Sequence, residues 1–248
     1  MQKINDQLPA YRFVLRTDVK DYYESIDHFL LMNQFADCIQ DKFILNLLWQ
    51  YLHRVVENGG LYKEIHQGIS RGCPLSPLIG AFFLSRLDNQ FQHNDLFYIH
   101  YMDDILIMAS TRWKLRRAVK RLNENLTALK LDKHPDKTFI GKIDRGFDFL
   151  GYHLHRQGLA VAQVTWTKFV ARLHRLYEQK KAVGCCHTLL GEYVRRWKRW
   201  TSDGLTTQVR VLPTRLQNNT PHNGGAVRIE DTTVLSVLSA HFPSCYPE

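Results

Sequence analysis

The feature that most constrains the fold of this chain is a pair of adjacent aspartates inside an apolar segment. The segment FYIHYMDDILIMAS covers residues 97–110, and the pair is Asp103 and Asp104. A buried carboxylate without a partner is costly, and two adjacent ones are worse. The apolar arms on either side have the length of strands, so the sequence predicts a β-hairpin with MDD at a tight turn.

A third acid stands in a similar context. The segment YRFVLRTDV, residues 11–19, is rich in aromatic and β-branched residues and predicts a strand that ends near Asp18. If this strand neighbours the hairpin in one sheet, Asp18, Asp103 and Asp104 converge at its end and repel one another. Two Mg²⁺ ions about 4 Å apart would relieve that repulsion and suit phosphoryl transfer. Aspartate also favours turn geometry, so solvated turn residues are the alternative for the pair taken alone.

The charge of the chain is distributed unevenly. The formal net charge is +9, and residues 111–200 alone hold 21 Lys and Arg against 7 Asp and Glu, a net +14. A basic stretch of this kind is typical of proteins that bind nucleic acids. A set of solvated helix faces is the plainer alternative.

Composition excludes several other classes. The sequence has no apolar run of eighteen residues, which predicts no membrane span, and no apolar leader at its N-terminus. Its five cysteines form no C-x-x-C pair, so we expect a reduced, cytoplasmic protein. The CCH sequence at Cys185, Cys186 and His187 matches no zinc-site spacing, and we do not assign it a metal.

Helices are predicted between and after the strands. Apolar periodicity predicts two helices between residues 28 and 56, and Ser76 with Pro77 predicts the start of a helix that runs through LIGAFFLSRLDNQF. The glycine-rich stretch ENGGLYKEIHQGISRGCPLSP before it is predicted to be turn-like. Leu115, Ala118, Leu122 and Leu126 mark the inner face of an amphipathic helix whose other face is basic. A short hairpin at GFDFLGYHL and two basic helices, near residues 168–180 and 188–200, complete the pattern.

Four sequence blocks, in order, resemble the motifs of bacterial reverse transcriptases of the group II intron-like class. They are RTDVKDYYESIDH, QGISRGCPLSPLIGAFFLSRLD, YMDD, and HPDKTFIG followed by GFDFLGYHL. The resemblance covers roughly residues 11–200. It implies an RNA-directed DNA polymerase with an α+β palm, in which helices back an antiparallel sheet, followed by a helical thumb-like region. It also implies an RNA template, a DNA or RNA primer, deoxynucleoside triphosphates and two Mg²⁺ ions.

The resemblance assigns roles to individual residues. Asp18, Asp103 and Asp104 would bind the metal ions, and Lys137 would act as general acid toward pyrophosphate. The substrate contacts would come from Val19, Tyr23, Gln67 and Gly68, with the ring of Tyr23 excluding a ribose 2′-hydroxyl. Arg71 is either a cation near phosphate or a solvated side chain. The hairpin that holds the primer end would consist of Phe149, Leu150, Gly151 and Tyr152.

The same resemblance predicts the domain organisation. Residues 1–158 would form the palm, residues 159–202 the thumb-like helices, and residues 203–248 a poorly defined tail. Related enzymes have a fingers region before the first palm motif, whereas Asp18 here follows only 17 residues, so we expect the fingers to be largely missing.

Two further functional hypotheses remain open from the sequence. The first is a truncated, catalytically inactive remnant that binds RNA, in the manner of a maturase. The second is an RNA-dependent RNA polymerase. The aromatic ring at Tyr23 argues against the latter, because a ribonucleotide polymerase must accept the 2′-hydroxyl at that position.

Overall fold

The computed structural model of the chain describes residues 1–92, 95–181, 186–203, 210–211 and 227–228. The chain divides into two compact units. The first, Tyr11–Lys142, is called the sheet unit here. The second combines Met1–Ala10 with the described residues from Ile143 onward and is called the C-terminal unit.

The sheet unit mixes helices with short strands. In chain order its elements are β1 (Phe13–Asp18), α2 (Tyr22–Ser25), α3 (His28–Cys38), α4 (Lys42–Leu52), β2 (Val55–Asn58), β3 (Leu61–Glu64), α5 (Ser76–Phe83), α6 (Ser85–Gln92), β4 (Leu96–Tyr101), β5 (Asp104–Ala109), α7 (Arg112–Ala128) and β6 (Phe139–Lys142). The label α1 belongs to Gln2–Gln7 in the other unit. The predicted hairpin around MDD is confirmed as β4 and β5.

The central sheet has the strand order β4-β5-β1-β6, and all of its pairs are antiparallel. Because side chains alternate along a strand, the register assigns each residue to one face. Leu15 pairs with Ile107 on one face, whereas Asp18 pairs with Asp104 on the other. The two aspartates therefore lie on the sheet face opposite Leu15.

Helix α7 covers the Leu15 face of the sheet. Its Leu115, Ala118, Leu122 and Leu126 are buried in the same apolar cluster as Leu15 and Ile107. This confirms the predicted inner face of the helix. Thr111 caps the helix, since its hydroxyl accepts a hydrogen bond from the Lys114 N–H at 3.2 Å.

Three local predictions are wrong. Part of the stretch predicted to be turn-like forms the β2–β3 hairpin, whose turn contains Gly59 and Gly60 at positive φ. Ser76 does not cap α5 but is its first residue, and the cap position belongs to Leu75. The Ser76 hydroxyl instead donates to the Ser70 carbonyl, which ties the loop before the helix to the helix itself. The predicted single helix is also divided at Leu84 into α5 and α6.

The C-terminal unit contains a small antiparallel sheet and two long helices. Strands β7 (Phe147–Phe149), β8 (Tyr152–His155) and β9 (Gly158–Val161) pair in that order. Helices α8 (Gln163–Lys181) and α9 (Cys186–Asp203) follow, and β10 (Arg210–Val211) pairs with β11 (Val227–Arg228). Trp166, Phe169, Leu173, Leu190 and Val194 form the core between α8 and α9. Both predicted basic helices are therefore present.

The antiparallel sheets and backing helices agree with the predicted α+β class. The functional domains predicted over residues 1–158, 159–202 and 203–248 remain predictions, and residue 158 lies inside the C-terminal unit. Most of the predicted tail, and the side chains of Cys185, Cys186 and His187, lie outside the described residues. Within the described part of the chain, no helix is both long and apolar enough to cross a membrane.

Candidate active site

The candidate site begins at the end of β1 and β5, where two carboxylates face each other. Asp18 is the last residue of β1 and pairs directly with Asp104, the first residue of β5. The Val19 N–H donates to the Asp103 carbonyl oxygen at 2.9 Å, which extends the pairing into the turn. The sheet register therefore brings together the three aspartates that the sequence identified.

The turn between β4 and β5 consists of Met102 and Asp103, because Tyr101 pairs with Asp104. Met102 has a φ of 56°, a left-handed conformation that costs a residue with a side chain about 1–2 kcal/mol. A glycine would adopt this conformation without that cost. The turn thus holds Asp103 beside Asp104 in a strained, well-defined geometry.

The electrostatics of this strand end follow from burial and like charge. Burial, together with the negative charges of Asp103 and Asp18, raises the pKa of Asp104 to about 6. Arg16 and Lys137 act in the opposite direction and partly compensate. A cation placed among the three carboxylates would stabilise their ionised forms.

Lys137 supplies one such cation. Its Nζ donates to Asp18 Oδ2 at 2.9 Å, and this hydrogen bond raises the pKa of Lys137. The lysine ends a short 3₁₀ turn, Pro135–Lys137, which β1 holds in place through its backbone: the His134 N–H donates to the Asp18 carbonyl at 2.8 Å. Behind it, the hydroxyls of Thr17 and Thr138 lie 2.7 Å apart.

The donor set at the strand end fits a hard divalent cation in its chemistry, because Mg²⁺ prefers carboxylate oxygens. Burial first, and then the charges of Asp103 and Asp18, raise the pKa of Asp104, so a bound cation would favour its ionised form. In their present side-chain positions, however, the described residues contain no group of three His, Cys, Asp or Glu close enough to hold a metal ion. Asp18 is instead bound to Lys137.

Tyr23 lies next to the acids and against a helical glycine. Burial, with a further contribution from the charge of Asp103, raises the pKa of the Tyr23 hydroxyl. Its ring packs 5.4 Å from the ring of Tyr22, whose hydroxyl donates to the Gly80 carbonyl at 2.5 Å. A Cβ on Gly80 would lie 3.2 Å from Tyr23, so only glycine leaves full room for this ring.

The loop that contains Gln67 and Gly68 forms hydrogen bonds with the segment that contains Tyr23. The Gly68 N–H donates to the Ile26 carbonyl at 2.8 Å, and the Ile69 N–H donates to the Tyr23 carbonyl at 2.7 Å. Gln67 donates from its side chain to the Ser25 carbonyl at 3.1 Å. Gly68 has a φ of 83°, and a Cβ there would lie 2.8 Å from the Glu24 carbonyl oxygen.

Two groups around this loop complete its contacts. The buried His28 ring makes a 2.7 Å hydrogen bond to the Gly68 carbonyl through Nε2, and burial lowers the pKa of His28. Arg71 is paired with Glu24 at 3.1 Å, and both side chains are exposed. The loop therefore fixes the position of Tyr23 from behind, while Arg71 stays at the surface.

The four residues predicted to hold the primer lie in the C-terminal unit. Phe149 and Tyr152 are buried, and the turn between them, Leu150 and Gly151, has positive φ values of 48° and 83°. The Tyr152 hydroxyl donates to the Trp200 carbonyl at 3.0 Å, and the two rings lie 4.8 Å apart. These contacts anchor the hairpin to α9.

Comparison with known proteins identifies the family. The sequence pattern of the family described as "Reverse transcriptase (RNA-dependent DNA polymerase)" matches residues 1–154, more than half of the chain. The chain belongs to the reverse transcriptase family. The acids at the strand end are thus the acids of a reverse transcriptase fold, and the Gln67 loop and Lys137 belong to the matched residues.

Curated relatives support the resemblance to group II intron-like reverse transcriptases. Protein YkfC of Escherichia coli is 25% identical over 59% of this chain and 48% of its own length. The putative COX1/OXI3 intron 1 protein of Saccharomyces cerevisiae is 23% identical over 56% of this chain and 17% of its own length. This reverse transcriptase chain therefore spans less than half of each of these two relatives.

Solved structures confirm the palm-like α+β fold. The apo telomerase of Candida tropicalis truncated from its C-terminal domain has a TM-score of 0.54 at 14% identity, over 65% of this chain and 40% of its own. The telomerase of Candida albicans in complex with a fragment of telomeric RNA has the same TM-score at 15% identity, over 65% and 33%. At such identities the likeness concerns the fold alone.

Several residues of the reverse transcriptase site were missed by sequence reasoning. Gly80 makes room for Tyr23, and Thr138 with His134 holds the turn that contains Lys137. A glycine inside the otherwise strongly helical LIGAFF was the one available signal, because glycine weakens a helix unless packing requires it. Val19 is predicted to contact the substrate through its backbone; its N–H donates to the Asp103 carbonyl in this structure, and its role remains a prediction.

Proposed function

We propose that this chain is an RNA-directed DNA polymerase that adds deoxynucleotides to a primer 3′ end on an RNA template. The observation that carries the proposal is the register of Asp18 with Asp104, with Asp103 in the adjoining turn. This register places three carboxylates of a reverse transcriptase fold at one strand end, and their mutual repulsion there favours binding of a cation.

The chemistry assigned to the site is phosphoryl transfer. The primer 3′-oxygen forms a bond to the α-phosphorus of the incoming nucleotide, and the bond to pyrophosphate breaks. Two Mg²⁺ ions held by Asp18, Asp103 and Asp104 would lower the barrier by stabilising charge on the attacking and leaving oxygens. The hydroxyl proton leaves to solvent, and Lys137 would donate a proton to pyrophosphate as general acid.

Substrate selection is assigned to Tyr23 and to the loop behind it. The loop backbone at Gly68 and Ile69 holds the Tyr23 segment, so the ring cannot retreat without breaking these hydrogen bonds. A rigid ring beneath the sugar excludes a 2′-hydroxyl by volume. Gln67 and Gly68 would line the nucleotide and template side, and the hairpin with Leu150 and Gly151 would hold the primer.

Primer extension on an RNA template in magnesium tests the proposal. Asp103→Asn should lower the rate of incorporation by about a thousandfold or more, because it removes one charged ligand from the phosphoryl-transfer site. Asp37→Asn is the matched control, since Asp37 is an exposed acid paired with Arg86 away from the strand end. Equal rates of nucleotide incorporation by the Asp103 variant and the wild type would contradict the proposal.

Tyr23→Ala tests sugar selection. The ratio of kcat/KM for deoxynucleotides to that for ribonucleotides should fall by about tenfold or more, because the steric barrier is removed. Tyr23→Phe keeps the ring and should keep the selectivity, and Tyr62→Ala removes a ring that is 78% exposed on β3. If Tyr23→Phe lost selectivity as Tyr23→Ala does, the hydroxyl rather than the ring would be responsible.

A second candidate function is RNA binding without catalysis. The strongly basic composition of residues 111–200 favours it independently of the acids. This candidate predicts salt-sensitive RNA binding with no nucleotide incorporation by the wild-type chain. The same primer-extension assay, run beside a binding assay, therefore separates the two candidates.

A further inference from the structure

The outer face of α7 presents a row of cations that the proposed catalytic site does not use. The helix contains six basic residues and one acidic residue, Glu124. The basic residues are Arg112, Lys114, Arg116, Arg117, Lys120 and Arg121. The inner face of the same helix is fully committed to the core of the sheet unit. The outer surface formed by these six side chains is called the basic face here.

Half of these cations have no acidic partner in the described part of the chain. Lys114 pairs with Asp95 at 2.9 Å, and Lys120 approaches Glu124 at 3.9 Å. Arg112, Arg116 and Arg117 are exposed, and no described carboxylate forms an ion pair with them. Their charges are therefore available to an external anion.

The arrangement of these cations costs the helix stability. Arg112 and Lys114 occupy the first turn, where the helix dipole disfavours positive charge. Arg112 and Arg116, as well as Arg117 and Arg121, are like charges four residues apart, which destabilise a helix by about 0.2–0.5 kcal/mol per pair. The stability of the helix therefore does not explain why these basic residues are present, whereas binding of an external anion explains it.

The spacing suits a phosphate chain. Residues four apart on a helix lie about 6 Å apart along its axis, so Arg112, Arg116 and Lys120 follow one another at a distance comparable to that of successive phosphates. Beside this row, Lys114, Arg117 and Arg121 line a cavity of about 140 Å³ with Leu96, Ala118 and Asp95. Arginine suits such contacts because its guanidinium can bind two phosphate oxygens at once.

The basic face lies on the opposite side of the sheet from the acids. Helix α7 packs on the face that contains Leu15, whereas Asp18 and Asp104 belong to the other face. A primer–template end seated at the acids therefore leaves the basic face uncovered. An anion bound at the basic face would therefore not be the primer–template end seated at the acids.

We propose that the basic face of α7 binds the phosphate backbone of an RNA segment outside the primer–template. This inference goes beyond the polymerase function, and only the distinction between this RNA segment and the primer–template rests on that function. Trp113, 67% exposed in the first turn, provides a ring on which an unpaired base can stack. A membrane surface fits less well, because Leu115, Ala118, Leu122 and Leu126 of α7 are buried in the protein, so that the exposed ring of Trp113 is not part of a continuous apolar face that could enter lipid.

The test measures binding of the full chain to a fluorescein-labelled RNA stem-loop at several salt concentrations. The triple variant Arg112→Gln, Arg116→Gln and Arg117→Gln should bind about tenfold or more weakly, with a salt slope smaller by about three, one for each lost phosphate contact. The matched control, Lys42→Gln with Lys63→Gln and Lys142→Gln, removes the same charge from exposed positions elsewhere in the sheet unit. It should bind as the wild type does.

Three outcomes would overturn the proposal. The first is unchanged RNA binding by the triple α7 variant. The second is an equal loss of RNA binding in the control variant. The third is that the triple α7 variant loses binding to anionic vesicles or to an acidic peptide while its RNA binding is intact. A measurement on the unaltered chain guards against misfolding of variants: bound RNA should protect Arg112, Arg116 and Arg117 from modification by phenylglyoxal. Full reactivity of all three under saturating RNA would equally reject the proposal.

The result is independent of the proposed catalysis. The Asp103→Asn chain should bind the stem-loop as tightly as the wild type, because Asp103 lies in the turn between β4 and β5 and is not part of α7. If the wild-type chain incorporates no nucleotides, the polymerase proposal fails. The RNA-binding measurement still decides the role of α7 in that case.

Discussion

The acidic strand end and the basic face of α7 flank the same sheet but hold their charges in opposite ways. Asp18, Asp103 and Asp104 are brought together by strand register, and burial raises the pKa of Asp104 to about 6. Arg112, Arg116 and Arg117 are exposed on a helix whose buried residues are apolar. Charge at the strand end is therefore coupled to the fold, whereas charge on α7 is nearly independent of it. Substitutions in the two regions should differ accordingly.

The largest effect is expected at Gly68, behind the strand end. Gly68→Ala places a Cβ 2.8 Å from the Glu24 carbonyl oxygen at a φ of 83°, so it adds a backbone clash to conformational strain. We expect the free energy of unfolding to fall by about 3 kcal/mol. Urea unfolding followed by circular dichroism measures this change.

Gly72 provides the control for Gly68. It has nearly the same φ, 85°, but a Cβ there would meet nothing within 4 Å. Gly72→Ala should therefore cost only the conformational strain, about 1 kcal/mol. Equal losses in the free energy of unfolding at the two glycines would mean that the close packing of the Gly68 loop against Glu24 does not contribute to stability.

Substitution of Asp104 is expected to change the free energy of unfolding by a smaller amount and in the opposite direction. Its raised pKa means that the folded chain ionises this carboxyl against burial and like charge, so ionisation destabilises the fold as the pH rises from about 4 to about 6. In EDTA at neutral pH, Asp104→Asn should raise the free energy of unfolding by about 1 kcal/mol, after allowance for its partial exposure.

The pH dependence sharpens this expectation. The advantage of the Asn variant should disappear below about pH 4, where the wild-type carboxyl is protonated in both the folded and the unfolded chain. Asp37→Asn, at an exposed ion pair, should show no such gain. A loss of stability in Asp104→Asn at neutral pH would contradict the idea that the strand end bears excess negative charge.

The two regions also differ in how far sequence reasoning could reach. The hairpin and its acids were predicted because apolar arms flank a polar turn, and α7 because its leucines repeat at helical spacing. Those patterns are local. The contacts that support Tyr23 come from Gly68 and Gly80, which are distant in sequence and close only after folding.

The errors have the same origin. The β2–β3 hairpin was missed because its strands are short and largely exposed, so they lack the alternation that marks a half-buried strand. Ser76 looked like a helix cap, but its hydroxyl finds the Ser70 carbonyl instead.

The smallest effect is expected on the basic face itself. Replacing Arg112, Arg116 and Arg117 by Gln removes like charges and a cation at the N-terminal end of the helix, so the free energy of unfolding should stay within about 0.5 kcal/mol of the wild type or rise slightly. Urea unfolding of the RNA-binding variant measures this directly. A loss greater than about 1 kcal/mol would mean that these arginines make structural contacts. The contrast between a fold-coupled acidic end and a solvated basic face would then fail, and weaker RNA binding by that variant could no longer be attributed to lost phosphate contacts alone.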